Sequence, residues 1–200
     1  MTLFLSGLIA FLVCFLITPQ IIKLANRFGL VDDPKKRFHP AHTHQGIIPR
    51  AGGLAIYLGL IVACLLFLPK DKIVLGILAG GSVVILVGLI DDYKDISPYF
   101  RFLTNIAAAA IVVGAGVGIP YINNPLGGIV RLDTLRLTFN FFGPHSLLVW
   151  ADLFAVFWIV WCMNMINWSK GVDGQMPGFV SISAIILGFL SFRFSSHDLS

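Results

Sequence analysis

The sequence contains no glutamate, and charged residues of every kind make up only 12% of its 200 residues. Soluble domains usually carry about 25% charged residues, so this chain is not typical of that class. Hydrophobic residues account for 57% of the chain, and the mean hydropathy is +0.88. The composition therefore indicates an integral membrane protein.

Cysteine is also scarce, with only Cys14, Cys64 and Cys162. All three fall inside apolar stretches and have neither the close pairing nor the spacing of metal ligands. We therefore expect them to pack as small hydrophobic residues.

Long apolar stretches, by contrast, are abundant. A helix that crosses a hydrocarbon core of about 30 Å needs about 20 apolar residues. Six stretches approach this length: Leu3–Ile22, Ala51–Leu68, Ile73–Ile90, Phe100–Ile119, Leu147–Ile166 and Pro177–Phe194. We predict an all-α, polytopic membrane helix bundle of about six transmembrane helices, forming a single domain over residues 1–200. The alternating segment "LRLTFNF" after Gly127-Gly128 predicts a small extracytoplasmic β-hairpin between helices four and five.

The distribution of lysine and arginine predicts the orientation, because these residues are retained on the cytoplasmic side. With the N-terminus outside, nine of the fourteen lie in the inner loops: Lys23, Arg27, Lys35, Lys36, Arg37, Arg50, Lys94, Arg101 and Lys170. The formal net charge of +4 then reflects topology. It gives no indication of a nucleic-acid partner.

The second inner loop, "DDYKDISPYFR", follows directly from an apolar stretch. Asp91 and Asp92 end helix three, and Ser97-Pro98 has the pattern of a helix start. Adjacent carboxylates repel each other and are costly near hydrocarbon. They suit a hard divalent cation such as Mg²⁺, although a solvated turn is the alternative.

The first inner loop contains a basic cluster and three histidines, with His39 and Arg50 as candidate functional residues. The alternative for its lysines is a simple positive-inside anchor. A zinc site at the histidines is disfavoured by the surrounding Lys and Arg side chains.

The third inner loop, "NMINWSKGVDGQMPG", places Asn164 and Asn167 on one face at the end of helix five. Gly171 and Gly174 flank Asp173, which allows a ligand to approach the backbone. Helices two, four and six begin on this same predicted face, so their N-termini favour anions there. Together these features predict a cytoplasmic site for a phosphorylated, metal-bound ligand.

These three loops resemble, in order, those of the polyprenyl-phosphate N-acetylhexosamine-1-phosphate transferases, glycosyltransferase family 4. The matching pieces are "GLVDDP", "KRFH" and "IPRAGG", then "DDYKD" with Arg101, then "NMINWSKGVDG". The chain departs from the family pattern at Lys170, where bacterial members commonly carry aspartate. The family has about ten or eleven membrane crossings, so we expect this chain to be the N-terminal part of a larger, truncated domain.

The resemblance implies transfer of an N-acetylhexosamine 1-phosphate from a UDP-sugar to a polyprenyl phosphate, with release of UMP. It implies an enzyme of the cell membrane that acts on the cytoplasmic face with Mg²⁺, for which Mn²⁺ could substitute. By analogy, Asp91 orients the lipid phosphate and Asp92 supports the metal, with Asn167 as a metal ligand. The expected substrate-binding residues are Arg101 at the diphosphate, Asp173 at the uracil, and His39, Arg50, Asn164 and Lys170.

Two other functions stay open from the sequence. "DDYKD" also fits the Asp-rich motif of an intramembrane, Mg²⁺-dependent prenyltransferase, although a second such motif is missing. A transporter or a non-catalytic membrane subunit is the other alternative, but transporters place ionisable residues at the bilayer midplane rather than at helix ends. The sequence does not set the oligomeric state, and a homodimer is open.

Overall fold

The computed structural model describes residues 2–32, 46–140, 144–169 and 174–197. The described residues form six α-helices and three two-stranded antiparallel ladders. In chain order these are α1 (Thr2–Phe28), β1 (Val31–Asp32), β2 (Ile48–Pro49), α2 (Gly52–Phe67), α3 (Lys72–Lys94), α4 (Pro98–Gly114), β3 (Tyr121–Asn123), β4 (Ile129–Arg131), β5 (Arg136–Asn140), β6 (Pro144–Leu148), α5 (Val149–Trp168) and α6 (Gln175–His197). The chain divides into two compact units, Met1–Ile159 and Val160–Ser200.

The helical architecture agrees with a membrane protein. Three helices are long and apolar enough to cross a bilayer, namely Phe4–Phe28, Lys72–Lys94 and Val149–Trp168, and three shorter helices are also apolar. Large side chains point outward on these helices, as for Phe15, which is 66% exposed. Such exposure suits a lipid environment, which has no tendency to drive apolar side chains inward. The prediction of six crossings stays a prediction, as does that of a single domain.

Small residues allow the helices of the first unit to pack closely. A Cβ on Gly59 of α2 would lie 2.7 Å from the carbonyl oxygen of Ala10 in α1, and one on Gly80 of α3 would lie 2.9 Å from that of Ala108 in α4. Tyr57 joins α2 to α3, because its hydroxyl group contacts Ser82 Oγ at 2.7 Å. This packing by small residues and polar contacts is typical of helices in membranes.

The α4–α5 connection differs from the sequence prediction in one respect. "LRLTFNF" does supply a hairpin strand, β5, which pairs with β6. Gly127 and Gly128, however, belong to a separate hairpin formed by β3 and β4. The described part of this connection therefore has two hairpins where one was predicted, because β3 and β4 are too short to show an alternating pattern.

Candidate functional site

The C-terminal end of α3 and the start of α4 bring three aspartates and an arginine together. We call Asp91, Asp92, Asp95 and Arg101 the acidic corner. The helix α3 ends at Lys94, and Asp95 then adopts a left-handed conformation with φ of 48°. Ser97 caps α4 by accepting a hydrogen bond from the Phe100 N–H at 3.3 Å. The predicted start of the fourth helix at Ser97-Pro98 is therefore confirmed.

Asp91 is held by two donors inside this corner. Its Oδ1 atom accepts a hydrogen bond from the Ile96 N–H at 3.0 Å and lies 3.3 Å from Nε of Arg101. The Arg101 guanidinium also donates to the Ile96 carbonyl oxygen, through NH2 at 3.2 Å. Only 20% of the Asp91 side chain is exposed. The carboxylate therefore has a fixed orientation and a cation beside it.

Asp92 is held from a different part of the chain. Its Oδ2 atom accepts a hydrogen bond of 3.0 Å from the backbone N–H of Ala51, which immediately precedes α2. Ala51 is buried, with 7% exposure, and has a left-handed backbone with φ of 71°. The start of α2 is thus fastened directly to the acidic corner.

Arg50 adds an ion-pair bridge at the same place. Its NH2 atom lies 3.2 Å from Asp32 Oδ2, and its NH1 atom lies 3.4 Å from Asp95 Oδ1. Burial lowers the pKa of the Arg50 guanidinium, but the hydrogen bond and charge of Asp32, with the charges of Asp92 and Asp95, raise that pKa above its ordinary value. Arg50 is therefore charged at every pH at which the protein would work.

The local fold explains why Asp32 and Arg50 meet. Gly29 ends α1 with φ of 71°, and the Leu30 N–H then bonds the Ala25 carbonyl oxygen at 2.8 Å, as in a Schellman motif. The strands β1 and β2 pair immediately afterwards. A backbone hydrogen bond of 2.8 Å from the Arg50 N–H to the Leu30 carbonyl oxygen closes this ribbon.

The predicted site residues are spread over both units. Asp91, Asp92 and Arg101 are members of the acidic corner, and Arg50 contacts it through Asp95. All of them belong to the first unit. Asn164 and Asn167 lie on the last turns of α5, in the second unit, where Asn164 Nδ2 donates to the Val160 carbonyl oxygen at 2.8 Å. The remaining predicted residues, His39, Lys170 and Asp173, lie outside the described residues.

Sequence reasoning did not assign Asp32, Asp95 or the Ala51 N–H to the site. Asp32 and Asp95 each belong to a quoted motif, "GLVDDP" and "DDYKD", so their presence was visible. The ion pairs that both aspartates form with Arg50 were not visible in the sequence. Asp32, Arg50 and Asp95 are far apart in the chain, and no helical spacing relates them.

The oxygen donors of the corner suit a hard cation, since Mg²⁺ is usually bound by one or two carboxylates together with substrate phosphates and water. Within the described ranges, no group of three or more His, Cys, Asp or Glu side chains is arranged to hold a metal ion. A cavity of about 790 Å³ lies elsewhere, near Lys72 and Asp152. Lys72 is about 29 Å from Asp91 along α3, so this cavity is separate from the acidic corner.

Comparison with known proteins assigns these features to a family. The model of glycosyl transferase family 4 matches residues 74–200. The chain is 29% identical over 188 residues to a probable undecaprenyl-phosphate N-acetylglucosaminyl 1-phosphate transferase of Bacillus subtilis, covering 92% of this chain and 47% of that protein. It is 31% identical over 174 residues to the undecaprenyl-phosphate alpha-N-acetylglucosaminyl 1-phosphate transferase of Escherichia coli K12, covering 84% and 41% of the two chains.

A decaprenyl-phosphate N-acetylglucosaminephosphotransferase of Mycobacterium tuberculosis is 29% identical over 198 residues, which cover 94% of this chain and 45% of that protein. The chain therefore spans about half the length of the curated relatives that it matches. No solved structure gives a significant match.

Proposed function

Since the chain belongs to glycosyl transferase family 4, we propose that it acts in transferring an N-acetylhexosamine 1-phosphate from a UDP-sugar to a polyprenyl phosphate. The names of its relatives favour N-acetylglucosamine as the sugar. The observation that carries the proposal is the acidic corner, where Asp91 and Asp92 are fixed side by side at the end of an apolar helix. Such a position is within reach of both a lipid phosphate and a water-soluble nucleotide.

The reaction needs positioning and neutralisation of charge more than a strong base. In the proposed step, an oxygen of the lipid phosphate forms a bond to the β-phosphorus of the UDP-sugar. The bond from that phosphorus to the oxygen shared with the α-phosphorus breaks, and UMP leaves with the electron pair. A phosphate monoester has its second pKa at about 6, so the attacking oxygen is already largely ionised at neutral pH.

The residues of the acidic corner would have separate roles in this phosphoryl transfer. Asp91 orients the lipid phosphate and can accept a residual proton, and Arg101 at 3.3 Å offsets the repulsion between that carboxylate and the phosphate. Arg101 is also proposed to contact the diphosphate. His39, Asn164, Lys170 and Asp173 are proposed as further substrate contacts.

We propose Mg²⁺ as the metal, with Mn²⁺ as a substitute, and Asp92 and Asn167 as its candidate ligands. The carboxylate and amide oxygens of these residues are ligands of the kind that Mg²⁺ accepts. When bound, the ion would neutralise charge on the transferring phosphoryl group. We further propose that the protein resides in the cell membrane with the acidic corner on the cytoplasmic face.

The proposal is tested with membranes that contain this chain, undecaprenyl phosphate, Mg²⁺ and UDP-N-acetylglucosamine labelled in the sugar. We expect label to enter the lipid phase, and no incorporation with the Asp91→Asn, Asp92→Asn double variant. Incorporation no greater than in that control would contradict the function for this chain. A prenyltransferase would instead release diphosphate from an allylic diphosphate and leave the UDP-sugar intact.

A further inference from the structure

The junction between β2 and α2 contacts the acidic corner at two consecutive residues. The Arg50 guanidinium bridges Asp32 and Asp95, and the next N–H, that of Ala51, binds Asp92. We propose that Asp32 and Arg50 are positioning residues, which hold the Asp92 carboxylate in place through the adjacent Ala51 N–H. The proposal rests on the proposed function for its catalytic consequence, but the positioning itself can be tested without activity.

The geometry of Ala51 supports this role. A left-handed conformation is unfavourable for residues other than glycine by about 1–2 kcal/mol, and Ala51 adopts it with φ of 71°. The surrounding contacts must therefore hold it there. Two such contacts are made by the preceding residue, Arg50. Its side chain forms an ion pair with Asp32, and its N–H donates a hydrogen bond to the Leu30 carbonyl oxygen.

Charge explains why the bridge needs an arginine. Asp32 is only 16% exposed and Asp95 is 52% exposed, and the charges of both, together with that of Asp92, act on Arg50. A planar guanidinium can contact two carboxylates through different nitrogen atoms, whereas a lysine ammonium is a single point charge. Loss of the guanidinium would leave the carboxylates to repel one another and would move the junction away from Asp92.

This role differs from the substrate contact that the sequence suggests for Arg50. A substrate-binding arginine would act on the affinity for the UDP-sugar, and Asp32 would have little influence. A positioning pair would act on the rate of the chemical step, and its two members would act as one unit. The two roles therefore predict different kinetics.

The first test follows amide hydrogen exchange in the whole chain reconstituted in lipid nanodiscs. We expect Asp32→Asn and Arg50→Gln each to speed exchange in the segment 48–53 by about tenfold, the effect of losing a charge-assisted contact. Arg131→Gln is the matched control, because it breaks an exposed arginine–aspartate contact of 3.4 Å with Asp133 outside the corner. If exchange in the segment 48–53 is unchanged in both variants, the positioning role is wrong whatever the activity.

The second test measures sugar-phosphate transfer by the same variants. We expect kcat to fall about tenfold for Asp32→Asn and for Arg50→Gln, with KM for the UDP-sugar changed less than about twofold. The double variant should be no worse than Arg50→Gln, because residues of one network are not additive. Arg50→Lys should recover only part of the loss.

The outcomes separate the two proposals. If Arg50→Gln raises KM for the UDP-sugar while Asp32→Asn keeps normal kcat and KM, the positioning role is wrong and Arg50 contacts the substrate instead. If the parent chain shows no transfer, the proposed function fails for this chain, while the exchange measurement still decides whether Asp32 and Arg50 hold the junction.

Discussion

The backbone N–H of Ala51 donates a 3.0 Å hydrogen bond to Oδ2 of Asp92, which joins the start of α2 to the end of α3. Because Ala51 is buried and left-handed, its side chain limits which substitutions can keep this bond.

We expect Ala51→Gly to change the free energy of unfolding by less than about 1 kcal/mol. Glycine removes the backbone strain but also removes a buried methyl group worth about 0.8 kcal/mol. Ala51→Val should cost about 2 kcal/mol, because a β-branched residue is a true outlier in this conformation. Thermal unfolding in detergent compares the two variants, and equal midpoints would show that the left-handed junction is not retained.

A second prediction concerns the contact between α3 and α4. Gly80→Ala should lower the unfolding midpoint, because the new Cβ would lie 2.8 Å from Val112 Cγ2 and 2.9 Å from the Ala108 carbonyl oxygen. Gly88→Ala, on the same helix with nothing within 4 Å of the added Cβ, is the matched control. It should be neutral or stabilising by up to about 1 kcal/mol. A Gly80→Ala variant as stable as Gly88→Ala would contradict the close packing.

Much of this arrangement could be predicted from the sequence, because hydropathy identifies apolar helices directly. The end of α3 at the aspartates and the start of α4 at Ser97-Pro98 followed from capping chemistry. The apolar stretch Leu3–Ile22 lies within a longer helix that continues to Phe28, since a helix can extend past its apolar stretch into the more polar "KLANRF". Hydropathy marks the membrane core and not the helix end.

The contacts of the acidic corner were harder to predict. Asp32 meets Arg50 only because β1 pairs with β2, and two strands of two residues leave no periodic signal. The bond to Asp92 uses a backbone N–H of an alanine, a group that every residue except proline possesses. Side-chain chemistry therefore identified the aspartates but not the groups that hold them.

The third prediction tests Lys170, the departure from the family pattern. Lys170→Asp should lower kcat/KM by about tenfold to a hundredfold, because a lysine contact with a phosphate or with Asp173 is worth about 1.5–3 kcal/mol. The change would also place a second carboxylate near an anionic ligand. The measurement is sugar-phosphate transfer by the Lys170→Asp and Lys170→Ala variants. If both retain normal turnover, Lys170 is only a positive charge at the membrane surface.

Orientation in the membrane supplies a fourth prediction. Single cysteines at Lys36 and Lys170 should react with a membrane-impermeant thiol reagent only from the cytoplasmic side, and one at Asn124, beside β3, only from the outside. The native residues Cys14, Cys64 and Cys162 are replaced by alanine in the parent for this experiment. Labelling with the opposite sidedness would reverse the proposed topology.

The most direct measurement of the central claim follows the bond that breaks. UDP-N-acetylglucosamine carrying ¹⁸O at the oxygen between its α- and β-phosphorus atoms is incubated with the chain, Mg²⁺ and undecaprenyl phosphate, and the products are analysed by mass spectrometry. Attack at the β-phosphorus predicts UMP that retains the label, in an amount equal to the lipid diphosphate sugar formed. Release of UDP, or UMP formation that does not require the lipid phosphate, would contradict the account.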